Sequence, residues 1–411
     1  MTLKNVFSLS FFVSMLFVST VPIVAGQDWT QFRGPSRDGA VSAFDVPDTW
    51  PEVLQEQWKI DVGLGYATPV IVGDRLYMFS RQDGDEVMLA IEMETGEVIW
   101  RSGYAAPFEL TPAAARHGAG PKSTPTYADG RLFTLGMSGI VTAWDAETGE
   151  QLWQMDAPEV QPLYHTSMSP LVDGDLMVVH IGGQDDGALT AFEVATGEVR
   201  WNWDGDGPAY GSPIVVDLEG VRQVVTFTQE HMVGVALETG ALLWSRPFVT
   251  QSTTTSQTPL VHNGQIIQAG RGNGITLFRV VREGNAWTTE DTWHNDEVSL
   301  HMTNGVVVEN VLYGLSHLNS GQYFGLDLET GEVLWTSDPR QADNASILGV
   351  GNTIVSLEDD AELLVLRGSR TEFAPVTRYD VATSATWAQP TLQGNRIYIK
   401  DVSSLTLWTL N

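Results

Sequence analysis

The chain has 411 residues, 43% of them hydrophobic and 18% charged, a makeup of folded globular domains rather than of a disordered polymer. Its formal charge of -29 repels nucleic-acid phosphates and anionic bilayer surfaces, so neither is expected as a partner. The absence of cysteine excludes disulfides, thiolate metal sites and a lipidated cysteine after an export signal.

Residues 1–26 read as an export signal, with Lys4 ahead of an apolar run from Val6 to Val18 and small residues at Val24-Ala25-Gly26. No later run approaches bilayer-spanning length. The mature chain is therefore expected in the periplasm or medium as a soluble monomer, not a lipoprotein. Residues 27–51 contain Asp28-Trp29-Thr30-Gln31-Phe32-Arg33-Gly34-Pro35, which has neither helical nor strand period. They read as an ordered N-terminal extension lying on the body. Residues 52–411 form the remaining domain.

That domain is repetitive. Glu94-Thr95-Gly96-Glu97-Val98-Ile99-Trp100 returns around Gly149 and Trp153, Gly197 and Trp201, Gly240 and Trp244, and Gly331 and Trp335. Ahead of each signature stands a fixed order of strand signals. A Thr/Ser-Pro pair opens a short strand (Thr68-Pro69, Thr124-Pro125, Ser169-Pro170, Ser212-Pro213, Thr258-Pro259), a turn leads to a second strand, and an alternating third follows. Tryptophans from Trp58 to Trp335 mark the period, with Trp287 as the member for the fifth repeat, where the turn has become Arg282-Glu283-Gly284-Asn285-Ala286. Four strands per repeat at a period of roughly 40 to 50 residues predict an all-β, eight-bladed propeller of antiparallel blades. The last repeat supplies three strands, and the orphan strand ending at Trp58 is expected to complete it and close the ring. Each glycine is expected in a two-residue Thr-Gly turn, and each tryptophan between neighbouring blades.

The Ala143-Trp144-Asp145-Ala146-Glu147-Thr148-Gly149-Glu150-Gln151-Leu152-Trp153 unit resembles the pyrroloquinoline-quinone-like propeller repeat, and Trp29-x-x-Phe32-Arg33-Gly34-Pro35 resembles the opening of an exported bacterial subgroup with that repeat. A similar repeat builds the propeller lipoprotein of the outer-membrane assembly machinery, which implies a non-catalytic scaffold binding an envelope protein. The same resemblance implies, as an alternative, an oxidoreductase using pyrroloquinoline quinone and Ca²⁺. Those enzymes carry an adjacent cysteine pair over the quinone, which this chain lacks, so the expectation is no cofactor and no metal. A third reading is a binder of sugars or other small ligands.

Turns after the first and third strands of a blade share one rim, the lower face. Connections between blades and turns between second and third strands share the upper face. There the spacing places Lys122, His165, Tyr210, Gln257, His301 and Trp387 before inner strands, and Arg81, His180, His231, Arg271 and His317 in turns. The connection carrying Arg116-His117 is expected to fold over the same mouth. With only 22 Lys and Arg and 8 His in the chain, this concentration is informative. Lys122, His165, His180, His231, Arg271, His301 and His317 are the expected binding residues for an anionic or carbonyl-bearing ligand. Asp204-Gly205-Asp206-Gly207 lacks the glutamate a Ca²⁺ loop requires and reads as a turn. No catalytic residue is assigned.

Overall fold

Strands alternate with tight turns throughout, and the computed structural model, which describes residues 28–251 and 255–410, assembles them into eight four-stranded antiparallel sheets. The segment read as an export signal lies outside the described residues. In the first blade the strands are Val70–Val72, Arg75–Gln82, Asp85–Glu92 and Val98–Ala105, running outward from the axis. The middle two are buried on both faces because a neighbouring blade covers each side. The eighth blade joins Thr391–Gln393, Arg396–Lys400 and Ser404–Thr409 to Gln55–Asp61 in antiparallel pairing. The ring is thus closed by the predicted seam, with the orphan strand running three residues past Trp58.

The signature turns are longer than the expected two residues. Asp145 and Glu150 close a loop from Ala146 to Gly149, with Gly149 N–H bonded to the Asp145 carbonyl at 2.9 Å. Gly149 sits at φ 74, and a Cβ there would lie 2.6 Å from the Trp100 ring of the preceding blade. Both the left-handed backbone and the indole stacked on it require glycine. The same indole donates its N–H to the Ala146 carbonyl at 3.3 Å. This clasp repeats from Trp58 to Gly96, from Trp153 to Gly197 and from Trp201 to Gly240.

At other joints it is shifted in register or replaced. In the fifth blade the outer hairpin is extended to Ile275–Glu283 and Ala286–Asn295. A bulge follows the tryptophan-bearing pair in the other blades that have one, as at Ala143 with Trp153, and here it follows Leu277 with Trp293. Trp293, not Trp287, is therefore the clasp residue. Its indole bonds the Leu328 carbonyl at 2.9 Å and lies against Gly331. Trp287 sits beyond clasp level, against Arg282. Trp244 faces no signature glycine and instead bonds Gln223 of its own blade at 2.7 Å. The joint is made by Arg246, which pairs with Asp291 at 2.7 Å and covers the Phe278 ring, and by Trp244 standing edge-on to the same ring with centroids 5.9 Å apart.

Around the axis, the residue before each proline is confined to extended backbone, and its N–H points at the next blade. Thr68, Thr124, Ser169, Ser212 and Thr258 each donate that N–H to the side-chain oxygen of the following member, ending on Asn304 Oδ1 at 2.7 Å. The Thr/Ser-Pro pairs of the sequence are this belt.

Inside the belt lies the N-terminal segment. Its sequence reads as an extension lying on the body; the structure places it in the central channel. It enters at the lower rim, where Gly73 N–H bonds Asp28, and rises by pairing Trp29 with Ile71 and Thr30 with Tyr127. It turns over at Arg33–Gly39 and descends past Gly349 to pair with Gly394 at the lower rim. Gly34, at φ 80, packs so closely on Trp29 that a Cβ would stand 2.8 Å from the ring. Arg33 and Arg37 are 1% and 3% exposed. Their polar groups, together with the hairpin backbone, bond blades one, two, three, four, six, seven and eight.

The clasp assignment is tested by comparing Trp293→Ala with Trp287→Ala in chemical denaturation. Removing Trp293 is expected to cost about 3 kcal/mol, and removing Trp287 about 1 kcal/mol or less.

Candidate functional site

Above the hairpin the channel widens into a cup of about 350 Å³, within the range of ligand pockets. Phe32 and Arg33 of the hairpin form its floor. The walls come from the segments before the inner strands, where the belt fixes the backbone. Tyr66, Tyr164, Tyr210 and Trp387 supply aromatic surface, and Asn304, Asn344 and Gln389 supply amides. Lys122, Arg271, His117 and His301 supply cationic or ionisable nitrogen. Among the described residues no aspartate or glutamate lines the cup, in a chain that carries 51 of them.

The polar groups are held in place. Lys122 Nζ donates to the Tyr164 carbonyl at 2.6 Å, and Tyr164 N–H donates to the Tyr210 hydroxyl at 3.1 Å. The tyrosine rings meet edge to face with centroids 5.7 Å apart. His117 stands edge-on to Trp387 at 4.7 Å, and Arg116 lies over the same indole while pairing with Asp343 at 3.2 Å. Burial takes Lys122 down to about 8. Burial, then Lys122 and Arg116, takes His117 down to about 4. Burial, then Arg271 and His317, takes His301 to about 4 as well. At neutral pH the cup thus presents neutral imidazoles beside a lysine and an arginine.

Of the seven residues singled out by spacing, Lys122, Arg271 and His301 line the cup, and His317 stands behind His301 with ring centroids 5.7 Å apart. The other three are taken up by loop structure. His165 is buried at φ 61, edge-on to Phe108, and its Nε2 accepts the Thr111 N–H at 3.3 Å. His180 is buried against the Asp206 carbonyl at 3.0 Å. His231 bonds the Asp206 carboxylate at 2.9 Å, and the same oxygen also accepts from Glu230 N–H and the Thr228 hydroxyl. That carboxylate oxygen is thus filled by the 228–231 turn of the fourth blade. Gln257, also read to the upper face, bonds the His301 and Thr303 carbonyls, and Arg81 bonds the Ala106 carbonyl. Sequence reasoning missed Arg33, Phe32, Tyr66 and Tyr164. For Arg33 the signal was two arginines within five residues of a glycine- and proline-rich stretch in an acidic chain.

Ring, repeat and axial cup define a propeller of the pyrroloquinoline-quinone-like class. Residues 84–337, more than half of the chain, match the sequence profile of the family described as outer membrane protein assembly factor BamB, and the chain belongs to that family. It is similar to BamB of Yersinia pestis, 26% identical over 223 residues that make up 51% of this chain and 55% of that protein. It is also similar to methanol dehydrogenase (cytochrome c) subunit 1 of Paracoccus denitrificans, 27% identical over 165 residues, 38% of this chain and 26% of that one. The chain thus spans about half the length of the first relative and about a quarter of the second. The quinohemoprotein alcohol dehydrogenase ADHIIG of Pseudomonas putida HK5 has the same fold, with a TM-score of 0.67 at 14% identity over 93% of this chain and 80% of that one. Among the described residues no helix is long and apolar enough to cross a membrane.

The cup electrostatics are open to direct measurement. In a histidine-resolved NMR titration, His117 and His301 are expected to stay neutral down to about pH 5. Lys122→Met should move the His117 midpoint upward and leave His301 in place.

Proposed function

We propose that the protein is an exported, non-catalytic binding propeller whose upper cup receives a carboxylate-bearing part of a protein or peptide partner. The observation that carries this reading is the acid-free cup, cationic at Lys122 and Arg271, in a chain of charge -29. An incoming carboxylate meets donors on the walls and is repelled elsewhere on the surface, so the charge pattern directs it to the axis. Aromatic rings in the walls suit a neighbouring apolar side chain. Exposed Leu64, Val160, Leu163 and Val249, all on upper connections between blades, offer a partner further apolar contact around the mouth. Family membership supports a scaffold role, since the Yersinia relative is by name an assembly factor.

The oxidoreductase relatives raise the alternative of pyrroloquinoline quinone with Ca²⁺ in this cup. The residues of this cup do not fit that pair. Ca²⁺ takes six to eight oxygen ligands with carboxylates among them. Among the described residues the lining offers no carboxylate for that role, and no group of three or more potential metal-ligating side chains lies elsewhere.

Selection from a displayed peptide library tests the proposal. Binders are expected to carry an acidic residue or a free C-terminal carboxylate next to an aromatic one. The Lys122→Met/Arg271→Ala double variant should weaken them about tenfold or more. Selection of basic or uncharged peptides, or an unchanged affinity in the double variant, would sink the reading. Because burial lowers Lys122 to about 8, its charge is lost as pH rises through that value. Affinity should therefore decline between pH 7 and 9, and Lys122→Arg should remove the decline.

A further inference from the structure

We infer that Arg33 and Arg37, carried into the channel by the N-terminal hairpin, are specificity-determining charges that bias the cup toward anions from beneath. This rests on the cup being a binding site, as proposed above.

The position is favourable. Arg33 forms part of the cup floor, and its main-chain N–H holds Gln389, another lining residue, at 3.0 Å. Its Nη2 donates to the Gly305 and Asp38 carbonyls, both at 2.6 Å, and its Nε to the Arg37 carbonyl at 3.3 Å. Arg37 lies alongside, at the tops of the inner strands of the third and fourth blades. The residues just before those strands include Ser167 and Tyr210 of the cup wall.

The bonding leaves the charge intact. A guanidinium has five N–H donors, and those of Arg37 reach Gln31 Oε1 at 2.8 Å, the Ser169 carbonyl at 3.3 Å, the Pro213 carbonyl at 3.0 Å, the Pro170 carbonyl and the Thr126 hydroxyl. Every acceptor is neutral. Among the described residues neither arginine forms an ion pair; the nearest acid, Asp38, turns its carboxylate to the Ala40 N–H at 2.9 Å. Burial lowers Arg33 to about 10 and Arg37 to about 9, so both are charged at neutral pH. Two charges without an ion pair, that of Arg33 partly offset by nearby Asp38, lie in a buried, weakly screened place and project their field along the axis, where the walls hold no acid.

A staple could bind the blades with neutral donors alone. What sets Arg37 apart is a neutral partner for all five guanidinium N–H groups and no ion pair, beside an Arg33 that reaches the floor of a cup without acids. Bonding and charge are separable by experiment, because Gln31→Glu keeps an oxygen in place for the Arg37 Nε while adding a negative charge. It gives up one exposed bond, from Gln31 to the Pro35 carbonyl.

The test uses the full chain and two dyes of one scaffold, anionic 8-anilinonaphthalene-1-sulfonate and uncharged N-phenyl-1-naphthylamine. The wild-type protein is expected to prefer the sulfonate. Gln31→Glu should lower sulfonate affinity about fivefold and leave the neutral dye unchanged. Arg37→Lys, which keeps the charge and loses part of the bonding, should retain the preference. Equal loss of both dyes in Gln31→Glu, or no change in either, overturns the inference. If Lys122→Met/Arg271→Ala abolishes sulfonate binding while Gln31→Glu has no effect, the cup reading stands and the role of the hairpin charges falls. If the double variant is also without effect, or the sulfonate is not preferred at all, both fall.

Discussion

A closed ring of blades leaves at its axis a channel walled by backbone, and every polar group buried there has to find a partner. The propeller meets this constraint twice. The N–H groups at the tops of the inner strands are answered sideways, by hydroxyl or amide oxygens of the next blade. Of the carbonyls at the same level, those of Pro69 and Pro170 accept a threonine hydroxyl from the adjoining blade, while those of Ser169, Pro213 and Gly305 are met from inside the channel. Guanidinium groups, rich in donors and unable to accept, fit that need, and the hairpin supplies two. Proline at the first inner position, the hydroxyl residue before it, and arginine in the N-terminal segment are three parts of one solution.

The same solution shapes the cup. A channel filled from below is blind from above, so a ligand entering the upper mouth meets a floor rather than a passage. Belt and hairpin immobilise the backbone on which the lining side chains stand, and the tyrosine pair and Trp387 pack their neighbours in turn. Histidines pressed among aromatic rings and cations remain neutral, so they add hydrogen-bonding capacity without charge. Positive charge is left to the lysine and arginine on the walls and to the guanidinium groups beneath.

The ring itself was plain in the sequence, because glycine turns, Thr/Ser-Pro pairs and tryptophans recur in step with the strands. Trp287 misled because the fifth hairpin grew in length. The alternation continued unbroken, and only the bulge opposite Trp293 marks the true register. Rim assignment put the right residues at the right height but could not say which way they point. His165 turns away on a left-handed backbone, and His180 is drawn to the carbonyl of Asp206. The hairpin was least legible of all. It has no period of its own, since its conformation is dictated by seven blades that are distant in sequence.

The tryptophan clasp has its indole on one blade and its glycine on the next. A repeat can therefore be duplicated or lost during evolution without orphaning either half, which leaves ring size weakly determined by the blades alone. The hairpin supplies the missing measure. Its two arginines bond walls on opposite sides of the channel at once, which ties this short segment to the width of an eight-bladed ring.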